Sequence, residues 1–133
     1  EWLKMRSMRF THYKGAMCVV NDNLFICGGY NVDGNKCEML NVAQNEWTIL
    51  PNLLYKVSQS GIQYDFCQHR IYIGGGSRAY SKQKDATTLS SYFDVFKNAW
   101  YKLPNCRFEH AHHPLLWMHD YEPNLLYIAG NDQ

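Results

Sequence analysis

The chain alternates short apolar runs with polar, glycine-bearing breaks, and three of the runs share one pattern. Leu24–Asn31 reads Leu-Phe-Ile-Cys-Gly-Gly-Tyr-Asn, Ile71–Ser77 reads Ile-Tyr-Ile-Gly-Gly-Gly-Ser, and Leu125–Asn131 reads Leu-Leu-Tyr-Ile-Ala-Gly-Asn. Aliphatic and aromatic runs favour strands, whereas paired glycines permit positive φ and close approach of two backbones. The pattern therefore predicts three buried strands, each of which ends where two backbones approach closely.

A glycine-rich turn can also cradle a phosphate. The tract Gly74–Arg78 lacks the Gly-x4-Gly-Lys-[Ser/Thr] spacing of a phosphate loop, and no helical pattern follows it. We therefore interpret the glycines as strand-end residues.

A second repeated marker is tryptophan. Trp2, Trp47 and Trp100 lie about fifty residues apart, which is the period of a propeller blade. Positions that follow them also repeat: Trp-x-x-Leu-Pro-Asn at Trp47–Asn52 and Trp100–Asn105, and Arg-x-x-His at Arg9–His12 and Arg107–His110.

Each repeat is most simply interpreted as about four short strands. Asn21-Asp22-Asn23 is the predicted hairpin turn between the first two. The predicted strands are Gly15–Asn21, Asn23–Gly29, Lys36–Val42 and Glu46–Leu50 in the first full repeat, Gly61–Phe66, Arg70–Gly75, Leu89–Val95 and Ala99–Leu103 in the second, and Ala111–Met118 and Asn124–Gly130 in the third.

These repeats predict the organisation of the whole chain. Residues 1–10 are expected to form the outer strand and loop of a preceding blade, 11–51 one blade, 52–104 a second, and 105–133 the first half of a third. The longest predicted loop, Ser77–Thr88, is polar and partly basic, and long loops on a rigid scaffold often carry binding function.

Composition narrows the function classes. The 133 residues fit one domain, and 46% hydrophobic with 15% aromatic residues is ample for a packed core. A net charge of +1 argues against a general nucleic-acid or anionic-membrane binder. No apolar run approaches the length of a membrane span, and the tract 1–10 is too charged for a signal peptide. We expect neither nucleic acid nor membrane among the partners.

The five cysteines predict free thiols. Any disulfide scheme leaves one of them unpaired, and Cys18 and Cys27 lie inside apolar strand patterns. No pair has Cys-x2-Cys spacing, so a zinc site is not indicated and a reducing compartment fits better than a secreted one. We expect a cytoplasmic, or also nuclear, protein.

The cluster His110-Ala111-His112-His113 is the strongest metal candidate, because imidazoles so close together can ligate zinc or copper. His110, however, occupies the same repeat position as His12, and His112 and His113 would project from opposite faces of a strand. We therefore favour a structural interpretation and predict no metal and no cofactor.

Taken together, the repeated tracts resemble the kelch repeat. The resemblance rests on the double glycines, the two Trp-x-x-Leu-Pro-Asn tracts and the two Arg-x-x-His pairs in register, and it covers essentially the whole chain. The chain departs from the family pattern at Leu40 and Phe93, where tyrosine is usual, and at Ala129, which replaces a glycine.

The resemblance implies an all-β fold, a piece of a kelch β-propeller with about two and a half four-stranded antiparallel blades. Propellers close with four to eight blades, so the resemblance implies that further blades belong to a longer polypeptide. Self-association of the chain is the alternative.

The resemblance also implies protein recognition, since kelch propellers bind partners with the loops after the double glycine and after the Trp-x-x-Leu tract. Basic residues predominate in these loops here, which favours a protein or peptide ligand of acidic character. The candidate partner-binding residues are Arg9, Tyr30, Asn31, Asp33, Lys56, Ser77, Arg78, Tyr80, Arg107 and Asn131, with Phe10 and Phe108 beside them.

Within the family, the preferred function is substrate recognition by a BTB-kelch ubiquitin-ligase adaptor, whose BTB domain would lie outside this chain and contact the ligase scaffold. An actin- or cytoskeleton-binding kelch protein is the first alternative. A kelch-fold enzyme such as a galactose-oxidase-like copper protein is the second. The chain shows no distinctive Ser/His/Asp order and no paired carboxylates in the loops, so we predict a protein that is not an enzyme.

Overall fold

A computed structural model describes residues 1–78, 86–119 and 122–131 of the chain. These residues form strands and turns, with no helix among them. Every strand pairing is antiparallel. In chain order the strands are β1 (Ala16–Val20), β2 (Asn23–Cys27), β3 (Cys37–Asn41), β4 (Glu46–Leu50), β5 (Val57–Ser58), β6 (Gly61–Asp65), β7 (Arg70–Gly74), β8 (Ser77–Arg78), β9 (Ser90–Asp94), β10 (Ala99–Lys102), β11 (Ala111–His119) and β12 (Glu122–Asn131).

The strands form two blades and a hairpin. The first blade has the order β1-β2-β3-β4, the second β6-β7-β9-β10, and β11 pairs with β12. This arrangement confirms the all-β prediction of four-stranded antiparallel propeller blades. Two short strands that were not predicted, β5 and β8, pair with each other between the blades.

The predicted strands after the first turn of each blade run one or two residues too long at the glycines. β2 ends at Cys27 because Gly28 has a φ of 70°, and β7 ends at Gly74 because Gly75 has a φ of 65°. A positive φ leaves the extended region, so the hydrogen-bonded ladder stops there.

Short polar side chains close the outer turns in the same way in both blades. Asn41 Oδ1 accepts a hydrogen bond from Gln44 N at 3.0 Å, and Asp94 Oδ1 accepts one from Lys97 N at 2.9 Å. Asn45 and Asn98 then take φ values of 53° and 51°. Asn and Asp favour such turns because their side chains bond to nearby backbone NH groups, and Asn also tolerates positive φ.

The core lies between the two blades. Phe25 of β2 stacks on Phe93 of β9 with ring centroids 6.0 Å apart, and Trp100 of β10 lies 5.2 Å from Phe93. The indole of Trp100 also donates to Pro51 O at 3.0 Å. One tryptophan therefore packs its ring into the core and ties the second blade to the end of the first.

The first blade repeats that hydrogen bond. Trp47 Nε1 donates to Arg6 O at 2.8 Å, and Arg6 stands four residues after Trp2 as Pro51 stands four after Trp47. Arg6 thus has the same relation to Trp47 that Pro51 has to Trp100. Residues 1–10 do not form the outer strand predicted there, and Trp2 is fully exposed.

Trp100 and Trp2 give a matched pair for testing the core. We expect Trp100→Ala to lower the free energy of unfolding by about 3–5 kcal/mol, since it removes a buried aromatic side chain and a hydrogen bond. Trp2→Ala should change it by less than ~0.5 kcal/mol. Denaturant unfolding of both variants measures the difference, and equal losses would contradict the packing described.

The partly buried thiol of Cys18 predicts a loss of stability at alkaline pH. Burial raises the pKa of Cys18 from 9.0 to about 12. Below pH 9 the thiol is neutral in both the folded and the unfolded chain, but between pH 9 and 12 only the unfolded chain ionises it freely. We expect this group to cost about 1–3 kcal/mol of stability by pH 11.

Denaturant unfolding of the natural chain and of Cys18→Ala, measured at pH 8 and pH 11, isolates this contribution, because the other titrating groups are common to both proteins. The stability of Cys18→Ala should fall less between the two pH values. An identical fall would show that Cys18 does not carry the effect.

Candidate partner-binding face

The double glycines lie at the end of β2 and β7, where two backbones approach closely. A side chain at Gly28 would place its Cβ 2.5 Å from Val57 O, and one at Gly76 would place it 2.5 Å from Ser58 O. Gly28 and Gly76 also have φ values of 70° and 95°. Only glycine meets both requirements without a shift of the backbone.

A set of backbone hydrogen bonds ties the loop after β2 to the segment that enters the second blade. Gly29 N donates to Val57 O at 2.9 Å, and Val57 N donates to Gly34 O at 3.0 Å. Leu53 N donates to Asn35 O at 2.8 Å. The loop and the entering segment therefore form one layer.

The second blade repeats the set. Gly76 N donates to His110 O at 2.6 Å, and His110 N donates to Thr87 O at 3.4 Å. Cys106 N donates to Thr88 O at 2.7 Å. All these loops gather at one end of the sheets, which we call the loop face; it comprises residues 9–15, 28–36, 52–60, 75–78, 86–89 and 103–110.

A cleft of about 360 Å³ opens on the loop face. Burial raises the pKa of the Tyr55 phenol, which keeps this wall of the cleft uncharged. Among the described residues, the lining combines two exposed cations with apolar side chains and includes no carboxylate, and we call this site the basic cleft. Its lining residues are Tyr55, Lys56, Val57, Arg78, Thr87 and Leu89.

An aromatic and cationic cluster lies on the neighbouring part of the loop face. The Lys14 ammonium lies 5.4 Å from the ring centroid of Tyr13 and 5.7 Å from that of Tyr30. Tyr30 N donates to Tyr13 O at 2.6 Å, which holds the two loops together. Gln59 N donates to Lys14 O at 2.8 Å, so the cluster is linked to the segment that lines the basic cleft.

Half of the ten predicted partner-binding residues are exposed on the loop face. Arg9, Tyr30, Lys56, Arg78 and Arg107 are exposed there. They come from separate loops, and the repeated backbone bonds bring them to the same side of the blades.

Three other predicted residues, Asn31, Asp33 and Ser77, are partly or fully buried by contacts within the protein. The side chain of Asn31 donates to Thr11 O and accepts a hydrogen bond from Asp33 N at 2.9 Å, and both side chains are half-buried. Ser77 is only 8% exposed, because it pairs with Ser58 in the short β5–β8 ladder. The expectation that Ser77 is presented to a partner is therefore wrong.

Two predicted residues remain. Tyr80 lies outside the described residues. Asn131 is the last residue of β12 and pairs with Ala111, so its backbone lies in a strand rather than in a loop.

Glu38, a fully buried carboxylate on β3, was not among the residues predicted from the sequence. Its two oxygens accept hydrogen bonds from Arg9 N and Phe10 N, both at 3.1 Å. His12 Nε2 lies 3.1 Å from Glu38 Oε1, and His12 Nδ1 lies 2.7 Å from Gly28 O. A glutamate within the apolar strand Cys37–Asn41 was the signal that could have identified it.

The hydrogen-bond geometry requires a proton between these two side chains. A carbonyl oxygen only accepts, so His12 Nδ1 must donate to Gly28 O. The contact between His12 Nε2 and Glu38 Oε1 then needs a second proton, carried by the imidazolium or by the carboxyl group. The pair thus fastens the segment that carries Arg9 to the strand end at Gly28.

The described residues also bear on metal and membrane binding. In residues 1–78, 86–119 and 122–131, no group of three or more His, Cys, Asp and Glu side chains is placed to hold a metal ion. The same part of the chain contains no helix of the length and apolar character that a membrane crossing requires.

Comparison with known proteins agrees with this architecture. The family model of the Kelch motif matches residues 14–54, which cover the first blade. Alpha-scruin from Limulus polyphemus is 26% identical over 111 residues, a match that spans 79% of this chain and 12% of that protein. The chain thus spans about one eighth of the length of the curated relative it matches.

A solved structure entitled "Structure of YjhT" has a similar fold. It superposes with a TM-score of 0.68 at 17% sequence identity, covering 87% of this chain and 34% of that one. At this identity the likeness shows the fold alone.

Substitutions of Glu38 and Glu46 test the role of the buried pair of His12 and Glu38. We expect Glu38→Gln to lower the free energy of unfolding by about 3 kcal/mol, since an amide cannot accept from both backbone NH groups and also satisfy His12. Glu46→Gln should cost less than ~1 kcal/mol, because its contact with Arg6 is long, at 3.8 Å, and exposed. Denaturant unfolding compares the two, and a Glu38→Gln protein as stable as Glu46→Gln would contradict the assigned role.

Proposed function

Because this chain consists of kelch repeats folded as propeller blades, we propose that it is a protein-interaction module that recognises acidic segments of its partners on the loop face. The basic cleft is the observation that carries this proposal. Lys56 and Arg78 supply two exposed positive charges beside apolar side chains, and no carboxylate is among the described residues of the lining.

The chemistry of the cleft favours a carboxylate ligand. Arginine pairs with a carboxylate through two parallel hydrogen bonds, and lysine adds a compact charge. The half-buried Tyr55 and Leu89 can contact the aliphatic part of an Asp or Glu side chain. A cleft of about 360 Å³ accommodates one such side chain with its neighbouring backbone.

Exposed aromatic residues extend the proposed site. Tyr13 and Tyr30 flank Lys14, and Phe108 is exposed on the segment that packs against Thr88 through Cys106. Tyr and Arg are enriched at the energetically dominant positions of protein interfaces. We infer a ligand that combines acidic with apolar residues.

The proposed context is a BTB-kelch ubiquitin-ligase adaptor, in which the kelch blades select the substrate. A BTB domain outside this chain would contact the ligase scaffold, in the cytoplasm or the nucleus. This assignment is supported by the kelch repeats. We propose a binding role without catalysis.

Charge reversal in the basic cleft tests the recognition proposal. We expect Lys56→Glu and Arg78→Glu each to weaken binding of fluorescent acidic peptides by ~10-fold or more, and we expect binding to weaken as salt is raised. Lys97→Glu is the matched control, since Lys97 is exposed in the turn between β9 and β10, at the opposite end of the sheet. Fluorescence anisotropy with the intact protein measures each affinity.

Two results would contradict the proposal. Peptides in which Asp and Glu are replaced by Asn and Gln should bind weakly, so equal binding would exclude charge recognition. A loss of affinity in Lys97→Glu as large as that in Arg78→Glu would exclude the basic cleft as the site.

Co-purification tests the adaptor role. A ligase scaffold should co-purify with the intact protein. Co-sedimentation with actin filaments instead would favour the cytoskeletal alternative.

A further inference from the structure

Cys27 and Cys37 stand directly opposite each other on β2 and β3. Gly28 N donates to Lys36 O at 3.0 Å, one step beyond this pair. In an antiparallel ladder, a hydrogen bond in that place makes the preceding pair the non-hydrogen-bonded type, whose side chains lie closest. The two cysteines thus occupy the position where side chains of neighbouring strands come nearest.

The two thiols are neighbours in the core. Both side chains are fully buried in the same cluster, and desolvation and the neighbouring Cys37 thiol raise the pKa of Cys27. Cys37 Sγ also lies 3.8 Å from Asn35 O, toward the loop between the two strands. All five cysteines are free thiols in the structure.

We propose that Cys27 and Cys37 are a redox modification site, which forms a cross-strand disulfide that clamps the loop of residues 28–36. This loop carries Tyr30, Asn31 and Asp33. The backbone bond from Gly28 to Lys36 already closes its base, and the disulfide would add a covalent closure one residue further inside the sheet.

The proposed reaction is exchange with a small disulfide such as oxidised glutathione. The thiolate of one cysteine attacks a sulfur of the small disulfide, forms a mixed disulfide and releases one small thiol. The thiolate of the other cysteine then attacks the protein sulfur and releases the second small thiol. Two S–H bonds are lost and one S–S bond forms in the protein, and the small disulfide leaves as two thiols with the two protons and two electrons.

Burial sets the rate of this reaction. Desolvation raises the pKa of the Cys27 thiol, so little thiolate exists in the closed sheet, and the oxidant reaches it only when the strand end opens. Cys67 is exposed and should react first, forming a mixed disulfide with the small molecule. The Cys27–Cys37 disulfide forms more slowly and persists, because its two sulfurs are held together.

Peptide mapping of the intact protein tests the proposal. After exposure to oxidised glutathione, trypsin cleaves at Lys36 and separates the cysteines unless a disulfide joins them. We expect a joined species of peptides 15–36 and 37–56, lighter by about 2 Da than the two reduced peptides together, and we expect dithiothreitol to separate it.

Cys18 lies on the same tryptic peptide as Cys27, so two variants identify the bonded sulfur. The joined species should survive in Cys18→Ala and disappear in Cys27→Ala. Glutathione bound only at Cys67, with Cys27 and Cys37 still reduced, would overturn the site, and so would a joined species that survives in Cys27→Ala.

Hydrogen exchange tests the clamp. Amides of the loop 28–36 should exchange at least ~10-fold more slowly in the oxidised protein than in the reduced protein. Unchanged exchange in a protein that carries the disulfide would overturn the clamp. Peptide binding at the basic cleft is measured separately. A negative result for the disulfide therefore does not contradict the proposed binding function, and the reverse also holds.

Discussion

Two hydrogen bonds between neighbouring blades, from Gly29 N to Val57 O and from Gly76 N to His110 O, tie each double-glycine loop to the segment that enters the next blade. Each bond requires the backbone of one blade to approach a carbonyl of the segment entering the next. This approach leaves no room for a Cβ at Gly28, beside Val57 O, whereas Gly76 is confined by Ser58 and Ser60 of its own blade. The same bonds align separate loops into one face.

The basic cleft is a direct consequence of this contact. Its lining comes from a segment that enters the second blade, Tyr55–Val57, and from the loop that leaves β7 in that same blade. The β5–β8 ladder joins these two pieces through the pairs Val57 with Arg78 and Ser58 with Ser77. Backbone pairing thus buries Ser77 and exposes Arg78, because neighbouring residues in a strand point to opposite sides.

The two blades place different side chains at equivalent buried positions. In the first blade, His12 faces the buried carboxylate of Glu38. In the second, Val57 takes the position of His12 and Ser91 that of Glu38, and the Ser91 hydroxyl lies 3.4 Å from the Tyr55 hydroxyl. A buried charge needs a partner, so the histidine and the glutamate occur in the same blade and both are absent from the other.

The repeats, the blade strands to within two residues and the free state of the cysteines followed from the sequence alone. Strand periodicity, glycine conformation and turn chemistry are local, so a pattern of neighbouring residues suffices to specify them. Arg9, Lys56, Arg78 and Arg107 could be placed on one face by repeat position, because equivalent residues of a repeat occupy equivalent places.

Only the tertiary structure decided the rest. The burial of Ser77, the role of Glu38 and the cleft between Lys56 and Arg78 depend on contacts between segments that are distant along the chain. Local sequence specifies which residues can form an element, and the partner that element meets decides whether it forms and which side chains it exposes.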